Sequence, residues 1–238
     1  MTANQPVYKT TMAHWYFDFI SPYAYLQSQQ RQLFEAVPQI TCKPILFAGL
    51  LNHWGHLGPA EIPSKRDWTF AHITWLAHQQ STKLTLPAHH PFNPLPLLRL
   101  CVAAGSTVEA SSRIFQYVWA EGHLPQEQSS FTQLCAEFNL NPDDLNDPAV
   151  KTQVLDNGKQ AIEEGVFGVP TLVHGQQLFW GQDASDMFLN YLASVSPDGE
   201  SNEASETNQA NSADVRTAWP NKQMDLAAAL PYGEQRKR

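Results

Sequence analysis

The stretch His14-Trp15-Tyr16-Phe17-Asp18-Phe19-Ile20-Ser21-Pro22-Tyr23-Ala24-Tyr25-Leu26 decides the fold. Aromatic, β-prone residues fill its first half and stop at Ser21-Pro22. Residues compatible with a helix follow. The segment predicts a strand from His14 to Ile20, a tight turn, and a helix from Tyr23 to about Ala36, ended ahead of Val37-Pro38. Ser21 then stands at the N-cap and Pro22 at the first helical position. A serine hydroxyl satisfies an unpaired N–H there, and proline loses nothing by lacking one. The same helix end carries partial positive charge. A serine in this place is therefore either a plain cap or a hydroxyl that also donates to a bound anion. The local sequence allows both.

Outward from this stretch, Gln39 to Phe47 reads as a second strand, with Pro44 pointing to an edge position or a strand end. Strand, helix and strand make a β-α-β unit with parallel strands. Residues 48 to 63 read as a loop rich in Gly, His and Trp. Its His53 and His56 are close, but no carboxylate or cysteine is placed to complete a metal set, so a ligand-binding loop is the better reading.

Helical spacing returns from Ser64 to about Gln80, with Trp68, Ala71, His72, Trp75 and Leu76 at three- and four-residue steps. Lys65 and Arg66 in its first turn oppose the helix dipole, as solvated charges or as contacts to an acidic partner. Helices are predicted over Leu95–Ala104, Glu109–Ala120, Phe131–Phe138 and Ala149–Glu164. Two short apolar strands then flank the hairpin turn His174-Gly175-Gln176-Gln177, and Asp183 is placed to cap a last helix from Ala184 to Ala193. Beyond Ser196 the composition turns polar, so 197–238 reads as a disordered tail, and residues 1–13 read as a loose leader.

Composition narrows the function. The 238 residues carry a net charge of −8, which argues against a nucleic-acid surface. No run approaches the roughly 18 apolar residues of a membrane span. The N-terminal residues lack the apolar stretch of a secretory signal. Cys42, Cys101 and Cys135 are an odd number, far apart, without a Cys-x-x-Cys, which fits a reducing cytoplasm and leaves no cysteine near Ser21 for disulfide exchange.

The order of elements is α/β: a thioredoxin-like β-α-β…β-β-α domain over 14–50 and 165–195, interrupted by an all-helical insertion over 60–164. Four motifs give this a family. Phe17-Asp18-Phe19-Ile20-Ser21-Pro22-Tyr23-Ala24-Tyr25-Leu26 resembles the N-terminal signature of the 2-hydroxychromene-2-carboxylate isomerases, relatives of kappa-class glutathione transferases and of DsbA-like disulfide oxidoreductases. Gly58-Pro59-Ala60-Glu61-Ile62-Pro63-Ser64-Lys65-Arg66, then His90-Pro91-Phe92-Asn93-Pro94-Leu95 with Arg99, and then Gly165 to Asp183 resemble further motifs of that family, in the same order. The likeness covers about 14–193.

The resemblance implies glutathione as cofactor. Ser21, in place of the nucleophilic cysteine of disulfide oxidoreductases, would hold its thiolate, with Pro22 and Tyr23 beside it. Val169, before a Pro170 that is typically cis in this fold, would pair its backbone with the tripeptide. Gln182 and Asp183 would bind the γ-glutamyl end, and His56 stands where many relatives have Asn. Asn52 and His53 are lesser candidates from the same loop. Ala184 replaces an Arg of many relatives and loses a cationic contact. The implied reaction is cis–trans isomerisation: the thiolate adds to a conjugated carbon of an aromatic acid, the bond rotates, and the thiolate leaves. Lys65, Arg66 or Arg99 would meet the substrate carboxylate. Trp54, Phe92 and Trp180 are stacking candidates, although core packing is the commoner role of such residues. A kappa-like transferase or peroxidase acting on small electrophiles, and a non-catalytic thioredoxin-like binding protein, remain as alternatives. The resemblance also implies a homodimer.

Overall fold

Strand β1 (Ala13–Phe17) is the centre of the fold. The structure, a computed structural model, describes residues 12–195; the expected leader up to residue 11 and the expected tail lie outside the described residues. β1 pairs in parallel with β2 (Ile40–Pro44), Phe17 opposite Pro44, and antiparallel with β3 (Thr171–His174), Tyr16 opposite Thr171. β4 (Gln177–Trp180) pairs antiparallel with β3, so the order is β2-β1-β3-β4. The parallel first pair and the hairpin follow the sequence reading. Pro44 closes an edge strand, where its missing N–H costs no ladder bond.

The first helices are α1 (Pro22–Ser28), α2 (Arg31–Ala36) and α3 (Phe47–Trp54). Between β2 and β3 the chain also forms α4 (Pro63–Gln79), α5 (Leu95–Ala103), α6 (Val108–Trp119), α7 (Gln128–Glu137) and α8 (Pro148–Glu163). α9 (Ser185–Val195) ends the described residues. None of the described helices is long and apolar enough to cross a membrane.

Alternation along β1 divides its side chains between two faces. Trp15 and Phe17 meet Phe115 of α6, whose ring lies 6.1 Å and 5.5 Å from theirs and 4.6 Å from Phe19. Tyr16 packs on the other side with Ile45, Leu50, Ala161, Val166 and Val173, so α3 and α8 cover that face. Two buried polar side chains are paired across the fold: Trp15 Nε1 donates to Gln27 Oε1 at 2.7 Å, and Asn157 Nδ2 to the Pro44 carbonyl at 3.1 Å. Unpaired, each would cost roughly 1–3 kcal/mol.

Four local expectations are corrected. The first strand ends at Phe17 rather than Ile20, because Asp18 starts a turn: its Oδ1 accepts from Ile20 N–H and its carbonyl from Ser21 N–H. The predicted helix from Tyr23 to Ala36 is two helices. At Gln29 and Gln30 the N–H groups bond three residues back, and the tightened turn ends α1. The predicted loop over 48–63 begins as helix, residues 48–54 belonging to α3, and holds a 3-10 turn over Pro59–Glu61. Gly55, at φ 65°, ends α3 in the left-handed conformation that glycine adopts without strain. Finally, Asp183 does not cap the last helix: it lies inside a 3-10 turn over Gln182–Ala184 that leads into α9.

Candidate active site

The pairing pattern brings the sequence motifs to one end of the sheet. β1 and β2 run in parallel and finish together, at Phe17 and Pro44. β3 runs against β1, so its start at Thr171 lies beside the end of β1, and β4 finishes at Trp180 opposite Thr171. Ser21 follows β1, α3 follows β2, Val169-Pro170 precedes β3, and Gln182-Asp183 follows β4. The Gly181 N–H donates to the Pro170 carbonyl at 2.9 Å, and Gln27 Nε2 of α1 to the Gly181 carbonyl at 3.1 Å, which ties three of these segments together.

Ser21 is the N-cap that the sequence predicts, with Pro22 at the first helical position. Its Oγ accepts from the Ala24 N–H at 3.2 Å, and its own proton enters no hydrogen bond among the described residues. The Tyr25 N–H is taken by the Ser21 carbonyl, and Pro22 has no N–H. That leaves the Tyr23 N–H as the free backbone donor at the start of α1. A hydroxyl and an amide, both unused, therefore stand at the same helix end.

Three residues that the sequence reading missed hold the turn in front of Ser21. Asp18 is fully buried, and its Oδ2 accepts from Phe47 N–H, the first residue of α3, at 2.8 Å. Burial pushes its carboxyl up to about 7, against the opposing pull of the N–H groups of Phe47, Ile20 and Phe19. Trp119 Nε1 donates to the Phe19 carbonyl at 2.8 Å. His90 Nε2 lies 2.9 Å from the Ile20 carbonyl, which can only accept, so the proton is on Nε2; burial lowers the pKa of the ring and favours its neutral form. Every backbone carbonyl from Asp18 to Ile20 is thus occupied, from Ser21 itself, α6 and the segment before α5. These partners lie up to 100 residues away, and no local pattern marks them.

The Val169–Pro170 peptide is cis. Val169 is buried, yet neither its N–H nor its carbonyl makes a hydrogen bond among the described residues. Buried backbone groups are nearly always paired, so this edge suits an extended peptide. Gln182 is buried and its Oε1 accepts from Gln30 and Gln80, at 3.1 Å and 3.2 Å, so its side chain is committed inside the fold. Asp183 is exposed, and its charge acts on the Tyr23 hydroxyl. His56 is exposed just past the end of α3, and among the described residues no hydrogen bond joins it to Ser21 or Val169.

Of the aromatic candidates, Phe92 is a core residue. Trp54 and Trp180 keep one exposed side each: Trp54 Nε1 donates to the Val166 carbonyl at 3.0 Å, and Trp180 lies against Phe167 and Gly168. A Cβ at Gly168 would stand 2.5 Å from Trp180 Nε1, so this glycine makes room for the indole. Arg66 is half-buried beside Asp67, with Nε 3.5 Å from its carboxylate, while Lys65 is exposed and Arg99 half-buried. All three cysteines are free and buried, and burial pushes their thiols up to about 12, 12 and 11 for Cys42, Cys101 and Cys135. Such thiols do not exchange disulfides readily.

The family model of the DSBA-like thioredoxin domain matches residues 14–193. The 2-hydroxychromene-2-carboxylate isomerase of Sphingobium xenophagum is 27% identical over 194 residues, covering 77% of this chain and 98% of that protein. The enzyme of the same name from Pseudomonas putida is 26% identical over 179 residues, covering 71% and 87%. A solved 2-hydroxychromene-2-carboxylate isomerase superposes with a TM-score of 0.65 at 22% identity, over 76% of this chain and 94% of that one. The cytosolic disulfide reductase DsbM of Pseudomonas aeruginosa, solved with GSH, superposes with a TM-score of 0.54 at 15% identity, over 76% and 99%. The last two likenesses concern the fold. The chain belongs to the DSBA-like thioredoxin domain family, as an isomerase similar to the 2-hydroxychromene-2-carboxylate isomerases.

Proposed function

We propose that this chain is a glutathione-dependent cis–trans isomerase of aromatic, unsaturated carboxylic acids of the 2-hydroxychromene-2-carboxylate kind. The observation that carries the reading is the pair of unused donors at the start of α1, the Ser21 hydroxyl and the Tyr23 N–H. A hydroxyl and an amide at a helix N-terminus suit a sulfur anion. The unpaired Val169 backbone suits a short peptide added at a strand edge. These features fit glutathione, whose thiolate, when bound, supplies a reversible nucleophile.

In this reading Ser21 and Tyr23 hold the sulfur charged at neutral pH, and Val169 fixes the peptide register. Asp183 takes the γ-glutamyl ammonium as a charge-assisted partner. Gln182 contributes through its backbone, since its side chain is committed elsewhere. His56 is the contact offered from the end of α3. The exposed faces of Trp54 and Trp180 serve the aromatic substrate, and Arg66 its carboxylate. Buried, unpaired thiols accord with a reducing compartment, and cytoplasmic placement belongs to the same reading.

The test is a glutathione titration followed by ultraviolet difference absorbance, on the parent and on Ser21→Ala. A hydrogen bond to a charged group contributes roughly 1.5–3 kcal/mol, and one pKa unit is about 1.4 kcal/mol. Ser21→Ala is therefore expected to raise the pKa of the bound thiol by about 1–2 units and to lose the thiolate band near neutral pH. If neither protein perturbs the thiol, glutathione is not the cofactor. Product analysis with an aromatic cis-enoic acid completes the test: an isomerase returns glutathione unchanged, and a transferase consumes it.

A further inference from the structure

α4 leaves two tryptophans in water, Trp68 with 62% and Trp75 with 58% of its surface exposed. Seven residues apart, they lie two turns from each other on one face. His72 stands between them, its ring 4.5 Å from that of Trp68 and 6.2 Å from that of Trp75, nearly parallel to the second at 13°. Exposing two indoles is unfavourable, so their positions ask for a reason. The ring they flank has one polar contact, its Nδ1 at 2.9 Å from the Tyr23 hydroxyl.

Tyr23 belongs to the candidate site. It follows Ser21 by two residues; burial, first, and the charge of Asp183 raise the pKa of its hydroxyl and keep it protonated, against the opposing pull of a hydrogen bond from the Thr69 hydroxyl. The Tyr23 hydroxyl therefore has the His72 imidazole within hydrogen-bond reach and the charge of the Asp183 carboxylate acting on it, where α1 lies against α4 and the 182–184 turn.

We propose that His72 is a positioning residue for ligand binding. Held between Trp68 and Trp75, it donates its Nδ1–H to the Tyr23 oxygen and leaves the Tyr23 proton pointing outward next to Asp183. Tyr23 and Asp183 then grip the zwitterionic head of a γ-glutamyl ligand, the phenol on its carboxylate and Asp183 on its ammonium. The opposite hydrogen-bond sense would use the phenol proton on the imidazole and leave none for a ligand. The proposal rests on the glutathione reading and extends it to a helix to which that reading gives no ligand contact beyond Arg66 in its first turn.

Calorimetric titration of glutathione into the parent, His72→Leu, His72→Asn, Tyr23→Phe and the Tyr23→Phe/His72→Leu double variant tests it. His72→Leu is expected to weaken binding about tenfold and to leave the pKa of the bound thiol at the parental value, because the Ser21 end is untouched. His72→Asn places an amide N–H near the Nδ1 position and should restore most of the affinity. Tyr23→Phe should match His72→Leu, and the double variant should bind no more weakly than either, since the two residues act through one contact. Unchanged affinity in His72→Leu overturns the proposal and leaves the cofactor reading standing. Equal losses in the Asn and Leu variants, or additive losses in the double variant, also overturn it, because packing alone then accounts for the effect. If His72→Leu fails to fold, His72→Asn and Tyr23→Phe decide, and parental affinity in Tyr23→Phe is the overturning result. A parent that does not bind glutathione removes the cofactor reading and the proposal together.

Discussion

Asp18 has no exposed surface, and both of its carboxylate oxygens accept backbone N–H groups, of Ile20 and Phe47. It joins the turn before Ser21 to the first residue of α3, so one carboxylate connects two segments of the candidate site. Its pKa in the fold, about 7, lies above the ordinary 3.8. The folded state therefore binds more protons than the unfolded state between those values, and the linkage has one sign: the contribution of Asp18 to stability is complete below about pH 4 and is lost as pH rises through about 7. Asparagine does not titrate; its amide nitrogen cannot accept, so the variant gives up one of the two N–H bonds at every pH. Urea unfolding across this window should show the parent losing stability with rising pH and Asp18→Asn holding level, so that the variant gains on the parent toward neutrality. A variant that follows the parent throughout would place the titrating group elsewhere.

α3 shows why one element of the site is hard to read from sequence. Gly49, Asn52, His53 and Gly55 give the segment a loop-like composition, yet Phe47, Leu50, Leu51 and Trp54 fall at the three-and-four spacing that marks a helix. The periodicity was present, and the composition hid it. Its two glycines have opposite roles. Gly49 lies inside the helix with nothing within 4 Å of a would-be Cβ, so Gly49→Ala is expected to stabilise by about 0.5–1 kcal/mol. Gly55 sits at φ 65°, so Gly55→Ala is expected to destabilise by about 1–2 kcal/mol. Chemical unfolding of the pair should give opposite signs, and a common sign would refute this account of how α3 ends. The break between α1 and α2 has no comparable marker, because no glycine or proline stands at Gln29-Gln30. Ser21, by contrast, was legible, since an N-cap is set by its immediate neighbours. Trp119, His90 and Asp18 were not: their hydrogen bonds reach partners 100, 70 and 29 residues away, and such contacts exist only once the sheet and helices have met.

At the scale of the molecule, one mixed sheet decides what chemistry is possible. Setting β3 antiparallel to β1, with β2 parallel to it, brings two strand ends and one strand start to a common edge, and the β3–β4 hairpin adds a third strand end. The sequence signalled the β-α-β unit and the hairpin separately; their joining through β1 needs the long-range pairing itself. The same packing withdraws every cysteine from that edge: Cys42, Cys101 and Cys135 are buried, and Cys101 Sγ faces Ser111 Oγ at 3.4 Å inside the fold. With its thiols interior and raised, the chain has no redox pair of its own, and the turn that follows β1 carries a serine, Ser21, at the N-cap of α1. An aromatic disulfide reagent should therefore leave the native parent unlabelled and react with all three thiols only after unfolding. In Ser21→Cys a single thiol should react rapidly in the native state, because the free Tyr23 N–H and the start of α1 favour its thiolate. Rapid labelling of the native parent would mean that the interior opens readily, and a sluggish Ser21→Cys would mean that the start of α1 does not stabilise a sulfur anion.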